Sequence, residues 1–287
     1  MKYVAFLFSL FLCLITSADM VMSMHTHKMD TYTIDTHNSV ALIFELDDIL
    51  FAVDEGKFLS KFPFGRSFGS DKIAHYSKLL LEKLHNNHEF DNLKLFYDTD
   101  QNIRPINVLY HGRSMPSLWC AYFLGAVSNQ QIYDKACQIL ESSGFFDKKI
   151  LTQAAQIAFD PTKEVDYLVL IEPVYHFILR CKQHAHIKLF LTSNKSRATF
   201  QALMQRYPQI LSLFDGIRIS CISSLLKPQP AVYEDIAAEY GLDHANCHVI
   251  ESQREYLACI PHPMKAYLVE KYNCAPLEQA LSEQHII

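Results

Sequence analysis

Apolar and polar positions fall into two regimes along the chain. Val40 to Phe44 is an unbroken apolar run closed by Glu45-Leu46-Asp47-Asp48. Such a segment reads as a buried strand whose C-terminal end carries carboxylates. From Tyr167 onward, short apolar runs alternate with stretches of helical period, the pattern of an α/β, doubly wound parallel sheet. The pattern predicts helices over 174–183, 197–207 and 231–240, and strands over 187–191, 216–220, 248–250 and 265–269. Pro173 suits the first turn of the first of these helices. Gly241 stands just past the end of the third, where a left-handed residue commonly closes a helix.

Between the two regimes the strand–helix alternation stops for roughly 115 residues, and helical periods take over. Residues 71–84 place Ile73, Tyr76, Leu80 and Leu84 on one stripe, and 129–140 do the same with Ile132, Ala136 and Leu140. Ser128 is the natural N-cap of the second. Residues 118–127 hold the only Trp and are apolar all round, which fits a buried core helix or the lining of a pocket. Large aromatics dominate buried area, which favours the core. The organisation is therefore a sheet domain made of 40–54 and 166–287, interrupted by a helical insert over 55–165.

The N-terminus adds a compartment. Lys2 precedes the apolar run of residues 3–15, and Thr16-Ser17-Ala18 supplies small residues after it, the three parts of a cleavable signal peptide over 1–18. The run is shorter than the roughly 18–20 apolar residues that span a bilayer, so export to a periplasm or beyond is expected, with no stable membrane span after cleavage. Cys13 lacks the preceding small residues of a lipoprotein site. Residues 19–39 read as a flexible lead. His25, His27, Asp30, Asp35 and His37 in that lead include metal-capable groups, but ordering a mobile tail costs entropy, and a polar linker is the better reading.

Seven cysteines remain beyond the signal, an odd number without close pairs. In contexts such as RISCIS and LACI they read as small buried hydrophobes, and no Cys/His spacing suggests structural zinc. That usage suits a reducing compartment, but the ordered signal outweighs scattered thiols. Of the 287 residues 49% are hydrophobic and 20% charged, as in ordinary globular chains. A formal net charge of -5 gives no electrostatic case for nucleic acid or an anionic membrane as a partner.

Four ordered stretches carry candidate chemistry. Glu45-Leu46-Asp47-Asp48-Ile49-Leu50 resembles the first motif of the haloacid dehalogenase superfamily, Asp-x-Asp-Gly-Thr/Val-Leu, with Glu45 at the nucleophile position and Asp47 at the acid/base position. IKLFLTSN ends in Ser193-Asn194, similar to the second motif. Hydroxyl and backbone N–H groups at such a strand end would hold a phosphate oxygen, although Ser and Asn also cap helices. Lys227-Pro228-Gln229-Pro230, running into Tyr233, resembles the third. His248-Val249-Ile250-Glu251-Ser252 resembles the metal-binding fourth, with Tyr256 at its later Asn position.

The resemblance covers roughly residues 40–55 and 165–270 and makes the insert a helical cap. It implies Glu45 and Asp47 as catalytic groups, Ser193, Asn194 and Lys227 as contacts to a substrate phosphate, and Mg2+ held by Glu45, Asp47 and Glu251. Three of its departures from the family bear on the acids of the site. Glu45 and Glu251 replace Asp, and Asp48 replaces Gly. One extra methylene moves the attacking oxygen by roughly 1.5 Å, and a misplacement of about 1 Å can cost on the order of 100-fold in rate. Four carboxylates then face Lys227 as their only cation, which calls for a bound cation or raised pKa values. The expectation is an exported haloacid dehalogenase-like protein with reduced or lost phosphohydrolase activity. The alternatives are an active Mg2+-dependent phosphatase acting on a small phosphoester through Glu45 and Asp47, and a non-catalytic protein that binds a partner protein through the cap.

Overall fold

A computed structural model describes residues 39–54, 57, 109–110, 113–114, 117–142, 152, 160–270 and 272–287. The proposed signal, the lead and the amphipathic stretch 71–84 lie outside the described residues. Chain order begins with β1 (Val40–Glu45), β2 (Phe51–Val53), β3 (Leu109–Tyr110), β4 (Arg113–Ser114), α1 (Ser117–Phe123) and α2 (Asn129–Ser142). It continues with α3 (Pro161–Tyr167), β5 (Leu168–Leu170), α4 (Glu172–Cys181), β6 (Ile187–Ser193), α5 (Arg197–Arg206) and α6 (Pro208–Leu211). The last part holds β7 (Gly216–Ile219), α7 (Ser220–Ser223), α8 (Ala231–Tyr240), β8 (Cys247–Glu251), α9 (Arg254–Leu257), β9 (Lys265–Leu268) and α10 (Ala275–Glu283).

Five strands form one sheet in the order β7-β6-β1-β8-β9, every pair parallel. The doubly wound expectation is met. β1 is central because it is apolar on both faces, as a strand covered by helices on both sides must be. Leu42 and Phe44 face a core that includes Phe177 and Phe214, with Phe44 edge-on to both rings at 6.1 and 6.3 Å. Ala41 and Ile43 face the other side, against Tyr233, Ile236 and Ala237 of α8. Burying one Phe or Ile of this kind contributes about 1.5–3 kcal/mol.

Local chemistry sets the element ends. Ser196 caps α5 by accepting from Thr199 N, and Gly241, at φ 63°, closes α8. The apolar stretch 118–127 is helical only as far as Phe123, and the chain then turns through Gly125 at φ 76°. Cys120, Ala121, Tyr122, Phe123 and Val127 join the main core, while Gly125 and Ala126 in the turn are exposed. All seven described cysteines are free, five of them buried.

A small antiparallel pair, β2 with β5, was not expected from the sequence. It fastens the segment after β1 to the chain leading into α4, through Ile171 N donating to Leu50 O and Asp54 N donating to Tyr167 O. α3, which leads into β5, packs on α5. Among the described residues no helix is long and apolar enough to cross a membrane.

Candidate active site

Glu45, Ser193 and Glu251 are the last residues of β1, β6 and β8. Because these three strands are parallel neighbours, the side chains collect at one strand-end crevice, where chain direction switches between the two halves of the sheet. Lys227 reaches the same crevice from the loop before α8. The convergence expected from the four motifs is therefore present.

The carboxylates are tightly engaged. Glu45 is buried, and its Oε1 accepts from the backbone N–H groups of Leu46 and Asp47 at 2.9 and 3.0 Å. Its Oε2 is paired with the Lys227 ammonium. Lys227 Nζ also donates to both oxygens of Glu251, at 3.0 and 3.2 Å. Glu251 Oε1 takes a further bond from Tyr233 Oη at 2.8 Å. The Lys227 ammonium lies 5.0 Å from the centre of the Tyr256 ring, so the aromatic face at the later Asn position meets a cation. Burial pulls the Lys227 pKa down against the attraction of Glu251. Burial, then Glu251, pushes the Tyr233 hydroxyl well above its ordinary value, so Tyr233 stays a donor.

Asn194 has a different place from the phosphate contact the resemblance implies. Its amide donates to Lys227 O and accepts from Lys227 N, both at 2.9 Å. Both ends of the side chain hold the backbone of Lys227.

A second charged cluster corrects the expectation that Lys227 is the only cation. Lys195, one residue past Asn194, is buried and pairs with Asp47 Oδ1 at 2.9 Å and Glu164 Oε1 at 2.7 Å. Ser193 Oγ donates to Asp47 Oδ2 at 2.9 Å. Glu164, from α3, also accepts from Thr199 Oγ1 at 2.7 Å. Burial opposes the charge on Lys195, but Asp47 and Glu164 overcome it and hold the ammonium above its usual pKa. Burial raises the pKa of Glu164 in spite of Lys195. Lys195 was visible in sequence as a lysine directly after the Ser-Asn pair. Glu164 carried no signal, because its place depends on how α3 docks.

Asp48 follows with φ 60°, in the left-handed region where the family motif has Gly. Burial, then the adjacent Asp47, pushes its carboxyl up to about 6.

The fit of magnesium can be read from this bonding. Each of the six oxygens of Glu45, Asp47 and Glu251 already meets a protein donor or ammonium. An ammonium also stands between the two glutamates. Magnesium needs near-octahedral oxygen coordination, and these side chains as arranged do not fit it.

A parallel sheet with its charged crevice at the carboxyl ends of β1, β6 and β8 is the layout that the resemblance to the haloacid dehalogenase superfamily implies. Residues 123–254 match the family model of the haloacid dehalogenase-like hydrolase. Among solved structures, a predicted HAD-like family hydrolase from Porphyromonas gingivalis is 13% identical with a TM-score of 0.50, covering 85% of this chain and 98% of its own. It shares the fold. Also similar is a HAD family enzyme from Bacteroides thetaiotaomicron in complex with magnesium and inorganic phosphate, at 14% identity, 83% and 98% coverage and a TM-score of 0.47. An L-2-haloacid dehalogenase from Xanthobacter autotrophicus with chloropropionic acid covalently bound is 15% identical, with 87% and 84% coverage and a TM-score of 0.47. No curated protein matches the chain.

Proposed function

We propose that this chain is an exported haloacid dehalogenase-like protein whose magnesium-dependent phosphohydrolase activity is strongly reduced or lost. The observation that carries the reading is Lys227, whose ammonium bridges Glu45 and Glu251. A nucleophilic carboxylate must present a free oxygen in line with phosphorus. Here one oxygen of Glu45 is drawn onto its own loop and the other onto Lys227. Asp47, the acid/base position, has one oxygen on Ser193 and the other on Lys195, so neither is free to meet a leaving group. The net charge of the crevice reinforces this. Three carboxylates face two ammoniums even when Asp48 and Glu164 are neutral, and a phosphate dianion is repelled.

The full chain would be assayed with magnesium on a generic phosphomonoester, beside Glu45→Asp and Glu45→Ala. The expected result is no turnover above the Glu45→Ala background in the natural chain, with activity emerging only in Glu45→Asp. Turnover by the natural chain that Glu45→Ala abolishes would establish the active phosphatase instead. The export part is tested separately, by the mass of the mature N-terminus after secretion. A product that retains residues 1–18 refutes it.

A further inference from the structure

The opposite edge of the sheet carries a second concentration of chemistry. A cavity of about 480 Å3 is lined there by His186, Asn246, His248, Lys265, Gln284 and His285, with Val40 and Ile286. Val40 and Lys265 begin β1 and β9, and His248 is the second residue of β8. Glu45 and Glu251 end β1 and β8, so about 15 Å of strand separates this cavity from the crevice described above.

The lining contains four potentially cationic side chains and two amides, and no carboxylate. In a chain whose formal net charge is -5, that is a local reversal of sign. The sheet register builds it. His248 and Lys265 are partners across β8 and β9, so their side chains project from the same face. Burial, then Lys265, depresses the His248 pKa to about 4, and the second of these causes records that like-signed groups are held together. The lining residues supply no counter-charge of their own.

The hydrogen bonds orient it as a donor site. Gln284 donates to Tyr267 Oη at 3.0 Å and accepts from Lys265 Nζ at 2.7 Å. Tyr267 Oη lies 2.9 Å from His248 Nδ1. Lys265 keeps two ammonium protons beyond the one given to Gln284. His186 is fixed by a 3.1 Å contact between its Nε2 and Ile286 O. The volume falls within the range of small-molecule sites, roughly 300–1,000 Å3.

We infer that the cavity between Lys265, His248, His186 and His285 binds a compact polyanion, a phosphate or carboxylate group carried on a small molecule. The recognition combines the Lys265 charge with the imidazoles and amides that line the cavity, and it is independent of the crevice around Glu45.

Calorimetric titration of the full chain with inorganic pyrophosphate and with citrate tests this. At least one of the two anions is expected to bind, at least tenfold more weakly to Lys265→Gln, with affinity restored in Lys265→Arg. Both substitutions are at an exposed side chain, so loss of fold is not the cause of a change. Ser193→Ala, altered at the far edge, is expected to bind as the natural chain does. The relative affinities of the two probes identify phosphate or carboxylate as the preferred group. Absence of binding by either anion at millimolar concentration overturns the inference. So does binding that Ser193→Ala abolishes and Lys265→Gln leaves intact, which would assign the anion to the crevice.

Discussion

Replacing Asp48 by Gly removes two separable costs, and their different pH dependence makes the prediction sharp. The first is backbone: φ 60° is a conformation that costs a side-chain-bearing residue about 1 kcal/mol and costs Gly little. The second is electrostatic. Burial and Asp47 raise the folded-state pKa from 3.8 to about 6. A carboxyl whose pKa is higher in the folded state destabilises the fold when ionised. Its penalty is absent well below pH 3.8, grows as pH rises and is complete above about 6. The full shift corresponds to about 3 kcal/mol, reduced to about 2 because the half-buried side chain keeps some solvent screening. Asp48→Gly should therefore be more stable than the natural chain by about 2 kcal/mol at pH 4.5 and about 3 kcal/mol at pH 7.5, combining the two terms. Asp48→Asn removes only the charge and should gain about 1 kcal/mol less than the Gly variant at either pH. Urea denaturation followed by far-UV circular dichroism at the two pH values measures both gaps. A gap that does not grow with pH refutes the buried-charge reasoning, and equal Gly and Asn variants refute the backbone reasoning.

Three further outcomes follow from other parts of the molecule. Lys227→Met leaves Glu45 and Glu251 buried without their ammonium and should cost about 3–5 kcal/mol at pH 7.5. The fall in denaturant midpoint relative to the natural chain checks it. Gly216→Ala places a Cβ 2.5 Å from Tyr240 Oη and 2.9 Å from Phe190 Cδ1, an overpacking that should cost about 1–3 kcal/mol in the same denaturation assay. His248 has a folded-state pKa depressed from 6.5 to about 4, so its contribution is fully present above pH 6.5 and is lost as pH falls through 4. About 2 kcal/mol, after allowance for screening, should disappear over that window. The loss should be smaller in His248→Gln.

The parts of the structure that were legible in the sequence are those set by local period and by strand ends. The apolar run of β1, the helix 231–240 and the Ser-Asn, Lys-Pro and Glu-Ser strand-end signals all lie where the pattern placed them. Residues one strand apart in a parallel sheet meet by register alone, so Glu45, Ser193 and Glu251 could be brought together without knowing any side-chain contact. The β2–β5 pair was not legible because its strands are three residues each, too short for a period. Glu164 was hidden for a related reason. Its helix is placed by packing on α5, and nothing in PTKEVDY distinguishes a buried glutamate from a solvated one. Asn194 was legible as a crevice residue but not in its role, because the sequence carries no information on which way an amide turns.

The two lysines show why the departures from the family motif belong together. Magnesium would offset the charge of carboxylates at this edge, so a site without it must neutralise them otherwise. Lys227 serves Glu45 and Glu251, and each longer side chain extends its oxygen toward that one ammonium. Lys195 serves Asp47 and Glu164. The remaining acid, Asp48, has no close ion partner among the described contacts and is relieved instead by a raised pKa. Restoring Asp at position 45 alone shortens the reach to Lys227 and frees a carboxylate oxygen, yet it leaves Glu251 paired with both Lys227 and Tyr233. Turnover in Glu45→Asp should accordingly be enhanced by adding Glu251→Asp, because only the double variant withdraws both carboxylates from the ammonium. Phosphatase rates of the two single variants and the double variant test that coupling: a double variant no faster than Glu45→Asp refutes it, and a double effect equal to the product of the single effects would mean that the two positions act independently.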